Sequence, residues 1–195
     1  MKIFAFRRGS WDPAEMPLTF SPHMCKDFTA VLLQEEDCIV NSFNKSLGDY
    51  DYIGIAMTEP TVGDCTVTTH CSFEKFGAPL IVLADGIRTE GAYRLYGAIY
   101  EIVAYEEGCN VWRILPEPDP EKSERRYTVR KIAHKPFFVE AGTTLEMSVR
   151  VHGKHAFVTV NDYSFDVALP DLPDAYYVGL TACEGINRFY DLTVE

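Results

Sequence analysis

Nowhere in its 195 residues does this chain carry eighteen consecutive apolar residues, so no transmembrane helix is expected. It has six cysteines, at positions 25, 38, 65, 71, 109 and 183, but no C-x-x-C pair, which removes the usual spacing of a structural zinc site. Cys65 and Cys71 lie on one expected strand, separated by roughly 20 Å at about 3.3 Å per residue, too far to bridge. Free buried thiols in a reducing compartment are the expectation. Positive charge is scarce as well: 18 Lys and Arg stand against 29 Asp and Glu, a net charge of −11. Nucleic-acid binding needs clustered cations that release counterions, and the densest group, Arg125-Arg126 with Arg130-Lys131, is interleaved as on a solvated strand. The opening MKIFAFRRGSWDP has one short apolar patch before two arginines, without the h-region of a secretory signal. A cytoplasmic protein with neither nucleic acid nor membrane as partner is therefore expected. Helical periodicity is also missing: the candidate turns around AEMPL and CKDF are short and interrupted by proline.

What the chain does carry is alternation with period two. FTAVLL (28–33), CIVNSF (38–43), YIGIAM (52–57), DCTVTTHCSF (64–73), LIVLA (80–84), YGAIYEIVAYE (96–106), CNVWRIL (109–115) and RYTVRKIA (126–133) all read as strands. From Thr143 to Glu195 four more follow almost without spacers: TTLEMSVRVHG, KHAFVTVNDYSFDVALP, AYYVGLTACEG and INRFYDLTVE. A dozen antiparallel strands must close into a barrel or stack as two sheets, and long strands with irregular loops favour the two-sheet jelly roll. The expected fold is thus an all-β, two-sheet antiparallel jelly-roll sandwich, built as a single domain over residues 1–195. PEPDPEKSE (116–124) reads as a surface loop, since composition does not change across it.

The stretch YGAIYEIVAYEEGCNVWRILPE is the most chemically loaded. With Glu107-Gly108 as a two-residue turn, Tyr105 would face Asn110, Ala104 Val111, Val103 Trp112 and Ile102 Arg113. Alternation then puts Ile102, Ala104 and Val111 toward the core, and Glu101, Val103, Tyr105, Asn110 and Trp112 outward. Aromatic faces stack on the C–H side of a pyranose while a carboxylate and an amide take hydrogen bonds from its hydroxyls. A second polar and aromatic cluster, CEGINRFYD (183–191), offers Glu184, Asn187 and Arg188 to the same face; the plainer alternative is a Glu184–Arg188 surface pair.

The order YGAIYEIVAYEEGCNVWRI, TTLEMSVRVHGKHAFVTVNDYSF, YYVGLTACEGINRFYDLTV resembles the concanavalin A-like lectin/glucanase superfamily, especially bacterial laminin-G-like jelly-roll domains. Asn161-Asp162 stands at the central turn of a hairpin, Val178-Gly179-Leu180 on the following strand and Phe189 on the closing one. The resemblance spans roughly residues 65–195 and implies a concanavalin A-like sandwich whose concave face takes a carbohydrate or glycoside. It also implies a second activity, because laminarinase-like members carry Glu-Ile-Asp-Ile-x-Glu on a concave strand, the first Glu as nucleophile and the last as acid/base. Here Glu101-Ile102-Val103-Ala104-Tyr105-Glu106 keeps both carboxylates and replaces the central Asp with Val103. Catalysis would rest on Glu101 with another acid, either Glu106, which stands at an expected turn, or Glu184. Carbohydrate binding through Glu101, Tyr105, Asn110, Trp112, Glu184, Asn187 and Arg188 is the preferred reading. Glycoside hydrolysis is the second, and a protein-interaction or homo-oligomer interface the third. No metal and no cofactor are expected: His152 and His155 flank a tight turn without two further zinc ligands, His70 has no assignable nucleophile, and Asp85-Gly86 reads as a turn.

Overall fold

The computed structural model describes residues 1–21, 31–41, 52–117 and 127–195, and among these it forms nineteen strands and no helix. In chain order they are β1 (Lys2–Ala5), β2 (Leu18–Thr19), β3 (Leu32–Gln34), β4 (Ile39–Asn41), β5 (Tyr52–Ala56), β6 (Thr61–Val62) and β7 (Cys65–Glu74). There follow β8 (Ala78–Ala84), β9 (Ile87–Glu90), β10 (Tyr93–Tyr96), β11 (Ile99–Tyr105), β12 (Gly108–Leu115) and β13 (Thr128–Pro136). The last are β14 (Leu145–His152), β15 (His155–Val160), β16 (Tyr163–Ala168), β17 (Ala175–Cys183), β18 (Ile186–Phe189) and β19 (Asp191–Val194). One sheet runs β16-β15-β14-β7-β18-β4-β3, with β19 also on β7 and β1 on β19. The other runs β13-β12-β11-β8-β17-β5-β2, with β6 on the end of β17. The two sheets stack as an antiparallel jelly-roll sandwich, and β9-β10 forms a separate hairpin.

Between the sheets lies one continuous core. Val67, Cys71 and Phe73 of β7 and Met147 and Val149 of β14 meet Ile81 and Leu83 of β8, Ile102 and Ala104 of β11, and Val178 and Leu180 of β17. The outer faces of the sheets differ, and the sequence explains why. In β14 the buried Leu145, Met147, Val149 and Val151 alternate with exposed or half-exposed polar residues, so its outer face is wet. In β8, by contrast, all seven residues of APLIVLA are buried. Leu80, Val82 and Ala84 point away from the main core and join Tyr96, Ile99, Val103 and Ile114 in a second apolar layer on the outer face of that sheet. A continuous apolar run is the pattern of a strand covered on both faces.

Several expectations are corrected. The stretch from Thr143 to Glu195 makes six strands, not four. The Asn161-Asp162 turn, with Asn161 at φ 50°, splits one segment into β15 and β16. Another splits at Tyr190, where the chain leaves β18, paired to β4 and one end of β7, and continues as β19 between β1 and the other end of β7. The long 96–106 segment likewise breaks, β10 ending at Tyr96 and β11 starting at Ile99. Of FTAVLL and CIVNSF, the described parts are β3 and β4, while 28–30 and 42–43 lie outside the described residues, as do CKDF with Cys25, Arg125-Arg126 and most of PEPDPEKSE. The strands flanking that last segment, β12 and β13, pair with each other. Cys38, Cys65, Cys71 and Cys109 are free and buried, and Cys183 is buried as well.

Candidate functional site

A cavity of about 520 Å³ opens on the outer face of the β8-containing sheet. Its floor and one wall come from the β11-β12 hairpin, whose turn is Glu106-Glu107 rather than Glu107-Gly108. Tyr105 therefore faces Gly108, Val103 faces Asn110, Ile102 faces Val111 and Glu101 faces Trp112, a two-residue displacement from the expected partners. Gly108 is fixed by a different demand: a Cβ there would lie 2.2 Å from the Lys135 carbonyl oxygen of β13. Because strand side chains repeat every two residues, this displacement changes partners but not faces. Glu101, Val103, Tyr105, Asn110, Trp112 and Ile114 all line the cavity, while Ile102, Ala104 and Val111 sit in the main core. A bulge at β13 places Trp112 opposite Lys131 and leaves Ile132 unpaired, a device that re-aims side chains at sites.

The end of the cavity is closed by two tight turns packed backbone to backbone. In the β7-β8 turn Lys75 and Phe76 have φ 53° and 67°, and in the β17-β18 turn Glu184 and Gly185 have φ 54° and 22°. A Cβ on Gly185 would stand 2.3 Å from the Gly77 nitrogen and the Lys75 oxygen, and one on Gly77 would stand 2.4 Å from the Ile186 oxygen, so both positions need glycine for this approach. Phe76 is a bulky residue in the left-handed region, 85% exposed, and it lines the cavity with Phe73 and Glu184. Left-handed backbone at a non-glycine residue costs about 1–2 kcal/mol, and such strain concentrates at functional sites. Sequence reasoning missed Phe73, Phe76 and Cys183; the Gly77 after Lys75-Phe76 was the one available turn signal.

Two polar side chains are buried in the cavity lining, each with one oxygen left over. Glu101 is 2% exposed and Asn110 9%, and among the described residues Glu101 Oε1 and Asn110 Oδ1 have no hydrogen-bond partner. Burial pushes the Glu101 carboxyl up from its ordinary 4.5 to about 8, because the anion has lost its water. The nearby Ser21 hydroxyl pulls weakly in the opposite direction but is not aligned for a regular hydrogen bond. Glu106, Glu107 and Glu184 add carboxylates to the lining, and no Lys, Arg or His among the described residues lines it. Two basic groups engage its aromatic wall: the Lys131 ammonium lies 4.8 Å from the Trp112 ring centroid, and His134 Nε2 lies 3.4 Å from the Tyr105 hydroxyl.

Five of the seven candidate binding residues, Glu101, Tyr105, Asn110, Trp112 and Glu184, thus surround one cavity. Asn187 and Arg188 do not. Asn187 is fully buried, and its side-chain amide donates to the Cys183 and Glu184 carbonyls at 3.0 Å each, so it positions the β17-β18 turn from beneath. Arg188 is turned to the other sheet, 2.7 Å from Glu74 and 3.3 Å from Glu35, rather than paired with Glu184. Among the remaining groups, His70 is held by Asp191 at 2.8 Å and Glu146 at 3.4 Å on the wet outer face, His152 hydrogen-bonds Asp64, and Asp85 accepts from the Ala98 N–H. No group of three or more His, Cys, Asp or Glu residues suited to a metal ion occurs among the described residues.

No protein-family model matches the sequence, and no curated protein sequence matches it. Solved structures do. The carbohydrate binding module CBM66 from Bacillus subtilis superposes with a TM-score of 0.62 at 10% identity, covering 86% of this chain and 92% of that one. The Emp47p carbohydrate recognition domain gives 0.62 at 13% identity, covering 98% and 93%. The VIP36 exoplasmic/lumenal domain in its Ca²⁺/Man3GlcNAc-bound form gives 0.57 at 13% identity, covering 91% and 86%. At such identities the likeness establishes the fold, the concanavalin A-like jelly-roll sandwich.

Proposed function

We propose that this concanavalin A-like sandwich is a carbohydrate-binding protein and that the cavity at the β11-β12 hairpin is its binding site. The observation that carries the reading is the pairing of aromatic walls with buried, unused acceptors. Trp112, Tyr105 and Phe76 offer ring faces to the C–H side of a sugar, and Glu101 Oε1 and Asn110 Oδ1 wait for donors at the floor. An unpaired buried polar atom costs about 1–3 kcal/mol, which a ligand hydroxyl would recover. The likeness to a carbohydrate binding module and to a carbohydrate recognition domain supports the same reading.

Binding is favoured over glycoside hydrolysis by the surroundings of Glu101: Glu106 stands in the turn beyond β11 rather than on the strand, and Val103, not an acid, is the next cavity-facing residue of β11. Glycan-array binding of the wild type beside Trp112→Ala tests the proposal: retained array signal for the first and its loss for the second are expected. No glycan bound by either protein would sink it, and a protein eluting as a dimer that Phe76→Ser dissociates would favour the interface reading instead.

A further inference from the structure

The cavity asks for a particular kind of partner. Four carboxyl groups line it, Glu101, Glu106, Glu107 and Glu184, and no basic side chain among the described residues joins them. Both of its deeply buried polar side chains present an acceptor oxygen that has no partner among the described residues. Trp112 already attracts one ammonium, that of Lys131, to its ring. An acidic glycan such as a uronate would bring a further negative charge into this lining, where a low dielectric strengthens repulsion. A protonated amine reverses every one of those terms. It supplies up to three donors to oxygens that lack them, it is drawn by the carboxylates, and its body can lie on Trp112, Tyr105 and Phe76.

We propose that the cavity selects a ligand bearing a protonated primary amine, of the amino-sugar class, with Glu101 and Asn110 as the acceptors for the ammonium. This deepens the carbohydrate reading and rests on it for the body of the ligand, though not for the amine. With an amine already protonated in free solution, an ammonium at Glu101 draws off the carboxyl proton that burial retains, so complex formation releases that proton to solvent.

Isothermal titration of the wild type with a glucosamine tetrasaccharide, its fully N-acetylated counterpart, a galacturonate tetrasaccharide and the sugar-free 2-phenylethylamine separates the possibilities. The expected result is affinity for the glucosamine form about tenfold or more above the N-acetylated form, the effect of one charge-assisted hydrogen bond, with no binding of the uronate. Heats measured in buffers of different ionisation enthalpy should show the proton release. Glu101→Gln should bring the two affinities together. Since the chain carries a net charge of −11, a polycation could adhere to its surface, but this variant changes one buried group and leaves that field in place. Undiminished glucosamine binding by Glu101→Gln would therefore overturn the inference. So would an N-acetylated or uronate ligand that binds as tightly as the amine, an outcome that leaves the carbohydrate reading standing. Binding of 2-phenylethylamine with neither saccharide would do the opposite, supporting the amine site and removing the sugar. Should Glu101→Gln fail to fold, the wild-type comparison of the free and acetylated amines decides alone.

Discussion

Replacing Glu101 with glutamine should remove a pH dependence from the protein's stability. The carboxyl belongs to the cavity lining at 2% exposure, and burial raises its value from 4.5 to about 8. A folded state that holds the proton more tightly than the unfolded chain is stabilised by protonation. That contribution is fully present below about 4.5, declines as pH rises from there to about 8, and is gone above it. The slope is about 1.4 kcal/mol per pH unit, so the whole change is on the order of 5 kcal/mol. The charged and titratable groups facing Glu101 do not reverse this: Ser21 is neutral, and burial keeps the Tyr96 phenol protonated across the range. Urea unfolding of wild type and Glu101→Gln at half-unit steps from pH 5 to pH 9 gives the difference directly, since other titrating groups cancel. The wild type should lose ground against the variant steadily up to about pH 8 and then level off. A difference that stays constant over that range would show Glu101 ionised or water-exposed, and the account of the cavity floor would be wrong.

Three further outcomes follow from the same geometry. Phe76→Asn should raise stability by about 1 kcal/mol, since Asn tolerates the left-handed backbone that Phe does not, while weakening glycan affinity; a stable variant with full affinity would mean the strained phenyl ring serves no ligand. Gly179→Ala should cost about 2 kcal/mol or more in chemical denaturation, because the new Cβ would fall 2.1 Å from the buried Tyr96 hydroxyl and 2.7 Å from the Ile55 oxygen that this hydroxyl donates to. Thiol labelling of native protein, mapped by mass spectrometry, should reach Cys183 in the cavity lining before Cys71 in the core, and a bound ligand should slow it; equal rates would place Cys183 away from the ligand.

What was legible in the sequence was face, and what was not was place. Strand existence and the inward or outward sense of each residue follow from a period of two, which survives errors in turn position. The β11-β12 turn fell one residue earlier than Glu107-Gly108 suggested, because Gly108 is needed where β13 passes close rather than where the chain reverses. That moved every cross-strand partner by two and left Glu101, Tyr105, Asn110 and Trp112 together on the outer face. A displacement of one in the partners would have put the pair from one strand on the opposite face from the pair on the other. No such protection covers residues near a turn or where a strand ends. Asn187 and Arg188 follow Glu184 by only a few positions, yet the tight Glu184-Gly185 turn carries the chain from one sheet to the other, so Glu184 faces the cavity while Arg188 reaches Glu74. Phe76 lay beyond reach for a related reason. A Lys-Phe pair carries no propensity for left-handed backbone, and only the contact between Gly77 and Gly185, a hundred residues apart in the chain, makes that conformation worth holding. The cavity's end wall is therefore a tertiary property of two turns, and no local pattern in either one announces it.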